Sequence, residues 1–373
     1  MNFDFTDDQI SLRDAVQRWV EKGFAFERRH ALAKAGGATR AVYRELADLG
    51  LTGLAVPGEH GGLGFGAVEA MVVMEELGRG LVNAPYAAAA LVAPTLLAQG
   101  DAAVQAAWLP RMADGSALVV PAMQERGTRY RLDSVATIAT HSGSGWALSG
   151  HKSLVPAGDE ADAYVVPARV GPHAVAPIGL FLVERASCAV RAYPTQDGAR
   201  AADVTLAASP AQLLLADGAA ALEEAFDVGI AATCAEGVGL MDQLVKITVE
   251  YMNTRKQFGA PIASFQALRH RMADVKMQLE LARSMSYFAT LKLGEAPAQR
   301  RRALSQAKVQ LGQSMRFVGQ QCIQMHGGIG VTDECAASHY FKRLTMLEFA
   351  HGDTLHHLGE VSERMQDSAG VFA

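Results

Sequence analysis

The hydrophobic positions divide the chain into three stretches of different texture. Near the start, Thr6 is placed to cap a helix, with Asp7 and Asp8 in the first turn where the macrodipole favours acids. Ile10, Leu12, Ala15, Val16 and Trp19 then recur at helical spacing. A second helix is predicted over 40–49, ending near Gly50. The Gly- and Pro-rich run 50–66 is a loop by composition. Helical spacing returns over 67–78, with Met71, Met74 and Leu77 on one side.

Short apolar or β-branched runs follow at 117–123, 136–140, 146–149, 163–168, 179–183 and 202–206, split by Gly, Pro, Asp and Ser. This spacing predicts a small β domain, with Gly143-Ser144-Gly145 as a hairpin turn. Helical texture resumes near 216. Helices are predicted over 219–257, 265–293, 300–327 and 342–366. In the second of these, Leu268, Met272, Val275, Leu279 and Ala282 trace one stripe. The expected organisation is a helical domain over 1–116, a middle β domain over 117–215 and a C-terminal helical bundle over 216–373.

Composition narrows the class. The 373 residues include 34 Lys and Arg against 39 Asp and Glu, a formal net charge of −5. A dedicated nucleic-acid binder normally carries a basic field instead. Half the residues are apolar, 20% are charged and the mean hydropathy is +0.09, which supplies a large core and excludes a disordered chain. Cys188, Cys234, Cys322 and Cys335 are too scattered for a zinc pattern or a disulfide scaffold. The first residues show no basic-then-apolar leader. The most apolar run, 84–98, is broken by Pro85 and Pro94. The expectation is a soluble protein of the reducing cytoplasm.

Two motifs carry candidate chemistry. Arg255-Lys256-Gln257-Phe258-Gly259 follows a long helix. It reads either as a cation at a helix end with Gly259 as the C′ residue, or as an Arg fork for a phosphate with Phe258 offered to an aromatic ring. Gln324-Met325-His326-Gly327-Gly328-Ile329-Gly330 also leaves a long helix. It reads either as a glycine-rich stop or as backbone opened to a cofactor. No strand precedes it, so it is neither a Walker A loop nor a dinucleotide fingerprint.

With the helical–β–helical order, these motifs make the chain resemble the acyl-CoA dehydrogenase family over nearly its full length. The resemblance runs through GLTGLAVPGEHGGLG with EELGR, YMNTRKQFG with PI and SFQALRHRMAD, QMHGGIG, and KRLTM followed by GDT. Within the family, YPTQDG at 193–198, RFVGQQ at 316–321 and HYFKRLTM at 339–346 are similar to small subunits of pimeloyl-CoA dehydrogenases. The resemblance implies a mainly α fold with a middle β-barrel and a C-terminal four-helix bundle. It further implies FAD held between the β domain and the C-terminal helices of a dimer or tetramer. Arg255 and Phe258 would contact the FAD of a neighbouring subunit. Gln324, Gly327 and Gly328 would line its pyrophosphate and ribityl portion, and Thr354 would bond its phosphate region. The implied partners are an acyl-CoA substrate, an electron-transfer flavoprotein or similar acceptor, and a second subunit. Neither nucleic acid nor membrane insertion is implied.

Family members form a 2,3 double bond in an acyl thioester, using a carboxylate to take the α-proton while the β-hydride goes to flavin. Counted without gaps, the usual Glu falls on Gly352, and the alternative base position on Gly229. Three substitutes stand nearby. Asp353 is the first candidate, although its place before 355–365 equally suits a helix cap. Glu236, on the helix face of Gly229 and in an apolar run, is the second; burial would raise its pKa and make it a base. His351 is the third. The backbone N–H of Gly352 remains available to polarise a thioester carbonyl. The β domain departs too: 121–133 lacks the expected hydroxyl residues in register, and Leu154, Val155 and Pro156 follow the matching Gly150 and Lys152. The sequence therefore supports an FAD-dependent acyl-CoA dehydrogenase with an atypical or missing base. The alternatives are a weakly catalytic partner subunit and a monooxygenase-type flavin reaction on the same fold.

Overall fold

The computed structural model describes residues 4–365, apart from 144, 172, 174 and 175. Contacts gather them into two compact units. One holds residues up to Arg29, Ala67–Val82 and the chain from Ile230; the other holds His30–Gly66 and Asn83–Gly229.

In the first unit, α1 (Asp7–Gly23) opens on a capping box. Thr6 Oγ1 accepts from Gln9 N, and Gln9 Oε1 accepts from Thr6 N. The long helix α7 runs Ala219–Thr254 and belongs to this unit from Ile230 onward, where α4 (Ala67–Arg79) packs against it at backbone distance. A Cβ at Gly78 would lie 2.3 Å from the Glu236 carbonyl oxygen, and one at Gly239 would lie 1.8 Å from that of Glu75. Only glycine fits either position. Helix α7 contains an 18-residue window of mean hydropathy 1.2, long and apolar enough to cross a membrane, but 78% of that window is buried inside the protein. Its apolarity serves the core.

The remaining helices of this unit are α8 (Gln266–Lys292), α9 (Pro297–His326), α10 (Ala336–Phe349) and α11 (Thr354–Met365). The last predicted helix, 342–366, is thus two helices broken at 350–353, and its end at Gln366 lies outside the described residues.

The second unit contains α2 (Phe26–Lys34), whose last residues fall here, and α3 (Arg40–Asp48), with Val42, Tyr43 and Leu46 buried. It also holds α5 (Ala93–Leu97), entered through a π-turn at Ala87–Val92, and α6 (Ala102–Ala113). Seven strands follow: β1 (Val119–Pro121), β2 (Ile138–Ser142), β3 (Gly145–Pro156), β4 (Ala163–Val170), β5 (Ile178–Glu184), β6 (Ala189–Pro194) and β7 (Arg200–Leu215). They pair in the order β1-β4-β2-β3-β7-β5. Because β5 also pairs β4, the sheet closes into a barrel, with β6 added on β7. Closure removes the exposed edges that an open sheet would leave. The predicted hairpin is present, with Ser142 paired to Gly145; Ser144 at its tip lies outside the described residues. Leu148, Val166, Phe181 and Val204 are among its fully buried side chains. The exposed strand β6 lacks the apolar run that marked the others, so the sequence pattern passed over it.

Candidate functional site

The inferred cofactor residues fall in two places. The outer group is assembled by a stack: Tyr251 of α7 lies parallel to His326 at the end of α9, ring centroids 4.6 Å apart. This brings both glycine-bearing motifs to one end of the bundle. Arg255 directly follows the end of α7, its N–H donating to the Tyr251 carbonyl at 2.8 Å, but Gly259 is not the C′ residue. Lys256-Gln257 (β8) pairs with Ala260-Pro261 (β9), so Phe258 and Gly259 form a two-residue hairpin turn, with φ of 51° and 79°. That is the sign pattern of a type I′ turn, which normally takes Asn-Gly. A phenylalanine held in left-handed backbone and 93% exposed is costly, and its ring meets Phe265 edge-on at 6.1 Å. The Arg255 guanidinium is exposed and has no ion-pair partner among the described residues.

Across from it, Gly327 has φ 65° and ψ −145°, a conformation essentially reserved for glycine. Gln324, Gly327 and Gly328 are exposed, and no atom lies within 4 Å of a Cβ built on either glycine. The Gly327 N–H is spent on the Gln324 and Ile323 carbonyls, so what this end offers an anionic dinucleotide bearing a planar ring is an unpaired guanidinium, an exposed aromatic ring and glycine backbone that no side chain covers. They face outward, which suits a cofactor held by another chain.

The inner group sits on the 350–353 turn. It lies far from the outer one: Thr354 touches Gly312 of α9, and Gly312 precedes Gln324 by twelve residues, roughly 18 Å along the helix. Here three of the expected residues have partners within the chain. Asp353 is an N-cap: its Oδ1 accepts from His356 N at 2.8 Å, the arrangement that stabilises a helix start. Glu236 is not an isolated buried acid, because its Oε1 takes a 2.6 Å bond from Arg343 Nε. Thr354 donates both its N–H (3.0 Å) and its hydroxyl (2.7 Å) to Glu348 Oε1. A threonine has one hydroxyl proton, so in this arrangement it has none for a phosphate. The other Glu348 oxygen is buried without a hydrogen-bond partner.

The turn itself is left-handed at His351 (φ 56°) and Gly352 (φ 104°). A Cβ at Gly352 would lie 2.5 Å from His357 Nε2 and 2.6 Å from His356 Cδ2. The usual base position therefore lacks a carboxylate and has no room for one. His357 reaches back to the His351 carbonyl (2.8 Å) and to Ser305 Oγ (3.2 Å). His351 Nδ1 lies 3.2 Å from Thr233 Oγ1, one helical turn beyond Gly229 on α7. Burial, with help from the Lys308 and Arg301 cations, lowers the His351 pKa to about 4, so its imidazole is neutral at pH 7.

In the β unit the departure from the family run is partial. Glu125, which the sequence reading passed over, is a buried hub. Its Oε1 accepts from Lys152 Nζ (2.6 Å), Thr137 Oγ1 (2.6 Å) and Thr137 N (3.1 Å), and its Oε2 from Ala136 N (2.7 Å). The Glu-to-Lys connection between the run and Gly-x-Lys is present although the hydroxyl residues are not. Leu154 sits in a bulge at φ 53°, and its N–H donates to Tyr193 Oη at 3.1 Å.

Comparison with known proteins agrees with this architecture. The family models "Acyl-CoA dehydrogenase, N-terminal domain" and "Acyl-CoA dehydrogenase, C-terminal domain" match residues 6–116 and 216–366. The acyl-CoA dehydrogenase IpdE2 of Mycobacterium tuberculosis is 30% identical over 325 residues, covering 87% of this chain and 84% of that protein. A solved Tcur3481-Tcur3483 steroid ACAD variant is 28% identical with a TM-score of 0.88, covering 97% of this chain and 99% of its own. The ChsE4-ChsE5 complex of M. tuberculosis gives 25% and 0.88, covering 99% and 100%. The chain belongs to the acyl-CoA dehydrogenase family of FAD-dependent oxidoreductases.

The Glu236–Arg343 pair gives a direct prediction. Glu236→Gln leaves a mostly buried guanidinium without its charge partner and is expected to cost about 1–3 kcal/mol in urea unfolding. In the assembly with a catalytic partner it should not slow flavin reduction by substrate. A loss of ~10²-fold in that rate at unchanged stability would instead make Glu236 a general base.

Proposed function

We propose that this chain is a subunit of a flavin-dependent acyl-CoA dehydrogenase assembly that contributes binding surface but no proton-abstracting carboxylate. The observation that carries the reading is Gly352, where a side chain would collide with His356 and His357. The two nearby acids are occupied, one as a helix cap and one in an ion pair. FAD, when bound, supplies the hydride acceptor. Arg255, Phe258, Gln324, Gly327 and Gly328 suit the anionic and planar parts of that cofactor in a neighbouring chain. Gly352 keeps its backbone N–H, which polarises a thioester carbonyl without taking a proton. The two-component names of the Tcur3481-Tcur3483 and ChsE4-ChsE5 relatives support a heteromer, as does the similarity of 193–198, 316–321 and 339–346 to a small subunit. Electrons would leave to an electron-transfer flavoprotein or a similar acceptor.

Anaerobic mixing with a panel of saturated acyl-CoAs tests this. The chain loaded with FAD alone is expected not to bleach, and the same chain joined to a catalytic partner is expected to bleach. Fast bleaching by the chain alone overturns the reading.

One observation favours a second reading, in which the chain is competent alone. The neutral His351 imidazole adjoins Gly352 in sequence and lies 3.2 Å from Thr233 of α7, and an imidazole accepts a proton. In that case bleaching by the chain alone would be abolished in His351→Gln.

A further inference from the structure

Lys308 lies in the middle of α9 and is fully buried. An ammonium has three protons to donate, and all three are used on carbonyls. Lys308 Nζ lies 3.1 Å from Leu347 O, 2.8 Å from Glu348 O and 2.8 Å from Gly352 O. The first two are at the C-terminal end of α10, where a cation meets the negative end of the helix dipole. The third belongs to the turn. One side chain thus ties the end of α10 to the left-handed His351-Gly352 segment, which makes few hydrogen bonds of a regular element.

We propose that Lys308 is a positioning residue whose three-carbonyl bridge holds the 350–353 turn in its left-handed form, and that loss of one ammonium proton loosens the turn. A neutral amine has two protons, so one of the three carbonyls must be released when Lys308 deprotonates. The groups facing Lys308 are Cys234 of α7, Glu348 of α10, Asp353 and His351 of the turn, and His356 and His357 of α11. Burial lowers the Lys308 pKa, and the partial opposition of Cys234, Glu348 and Asp353 leaves it at about 8. Cys234 is itself pushed up to about 12 and stays a thiol. His351 and His357 are held low and stay neutral, so Lys308 is the group in this cluster that changes charge between pH 7 and 9.5.

The sign of the stability effect separates this bridge from an ordinary stabilising ion. The folded pKa is below the unfolded lysine value, so between pH 8 and the usual lysine range the unfolded chain holds a proton that the folded chain has given up. Stability due to this group therefore rises with pH in that window, while order in the turn falls. A bridge that merely stabilised the fold would move both in the same direction.

The test is amide hydrogen exchange on the full chain, read as protection factors for residues 350–354, with urea unfolding in parallel. In the wild type, protection of the turn should fall at least several-fold between pH 7 and 9.5 while global stability rises relative to Lys308→Met. Lys308→Arg keeps a cation that does not titrate and should abolish the pH step. Lys308→Met should show weak protection at both pH values; if it does not fold, the wild-type and Lys308→Arg comparison decides alone. Turn protection independent of pH in the wild type, or a step retained in Lys308→Arg, overturns the proposal. The inference uses the proposed function only in treating this turn as the substrate-facing one. Because exchange needs neither flavin nor thioester, a failure of the base-free reading leaves this outcome unchanged, and the reverse holds too.

Discussion

Gly352→Glu, which restores the residue type expected at the base position, is expected to weaken the protein rather than activate it. A side chain in left-handed backbone costs about 1–2 kcal/mol, and overpacking against His356 and His357 adds about 1–3 kcal/mol. Urea unfolding should therefore show a loss of about 2–5 kcal/mol, summing these two terms. The turn is built around a missing Cβ, with His357 bonded to the His351 carbonyl in the space a side chain needs. Gly352→Ala, with the same backbone and a smaller side chain, should lose a large part of that stability. A fully stable Gly352→Glu protein that bleaches with acyl-CoA would show that the turn opens freely.

The second large effect is expected in the barrel. Lys152 has no exposed side-chain surface and meets Glu125, which is 6% exposed. Burial lowers the Lys152 pKa to about 8. Burial opposes ionisation of Glu125, but the Lys152 ammonium and the hydrogen bonds from Thr137 and Ala136 prevail, and its carboxyl sits below the usual range. Removing one partner strands a buried charge, so Lys152→Met is expected to cost about 3–5 kcal/mol. Adding Glu125→Gln should recover part of the loss, since the stranded charge is then gone. A single Lys152→Met variant as stable as wild type would mean that water reaches Glu125. Glu125 also ionises more readily folded than unfolded. Its contribution is therefore complete above the ordinary glutamate range and is lost as pH falls through its lowered value.

Much of the fold was readable because periodicity reports burial. The cap at Thr6, the stripe on α8 and six of the seven strands left clear marks. Strand β6 did not, since its side chains are mostly solvated and carry no alternation to detect. The break in 342–366 was missed for a different reason. His351 adopts φ 56° without being glycine, held there by Lys308 and His357 from elsewhere in the sequence.

The candidate site divides along the same line. That Gly352 and Gly229 carry no base is visible in residue identity alone. That Asp353 caps a helix, Glu236 meets Arg343 and Thr354 spends its hydroxyl on Glu348 depends on partners from 3 to 107 positions away. No local pattern encodes the distant pairings. Glu125 had a signal available, namely the Lys of Gly-x-Lys, which once buried requires an acid. The Phe258-Gly259 hairpin was also hidden, because Phe-Gly lacks the usual Asn-Gly turn signature.

On this reading the 350–353 turn of this chain does not remove a substrate α-proton. Exchange of that proton with solvent measures this step without requiring hydride transfer. A saturated acyl-CoA incubated anaerobically in D2O with the FAD-loaded chain alone is followed by NMR at C2. No deuterium incorporation above the protein-free rate is expected, and incorporation is expected once a catalytic partner subunit is added. Incorporation by the chain alone, at the rate a carboxylate base would give, would contradict it.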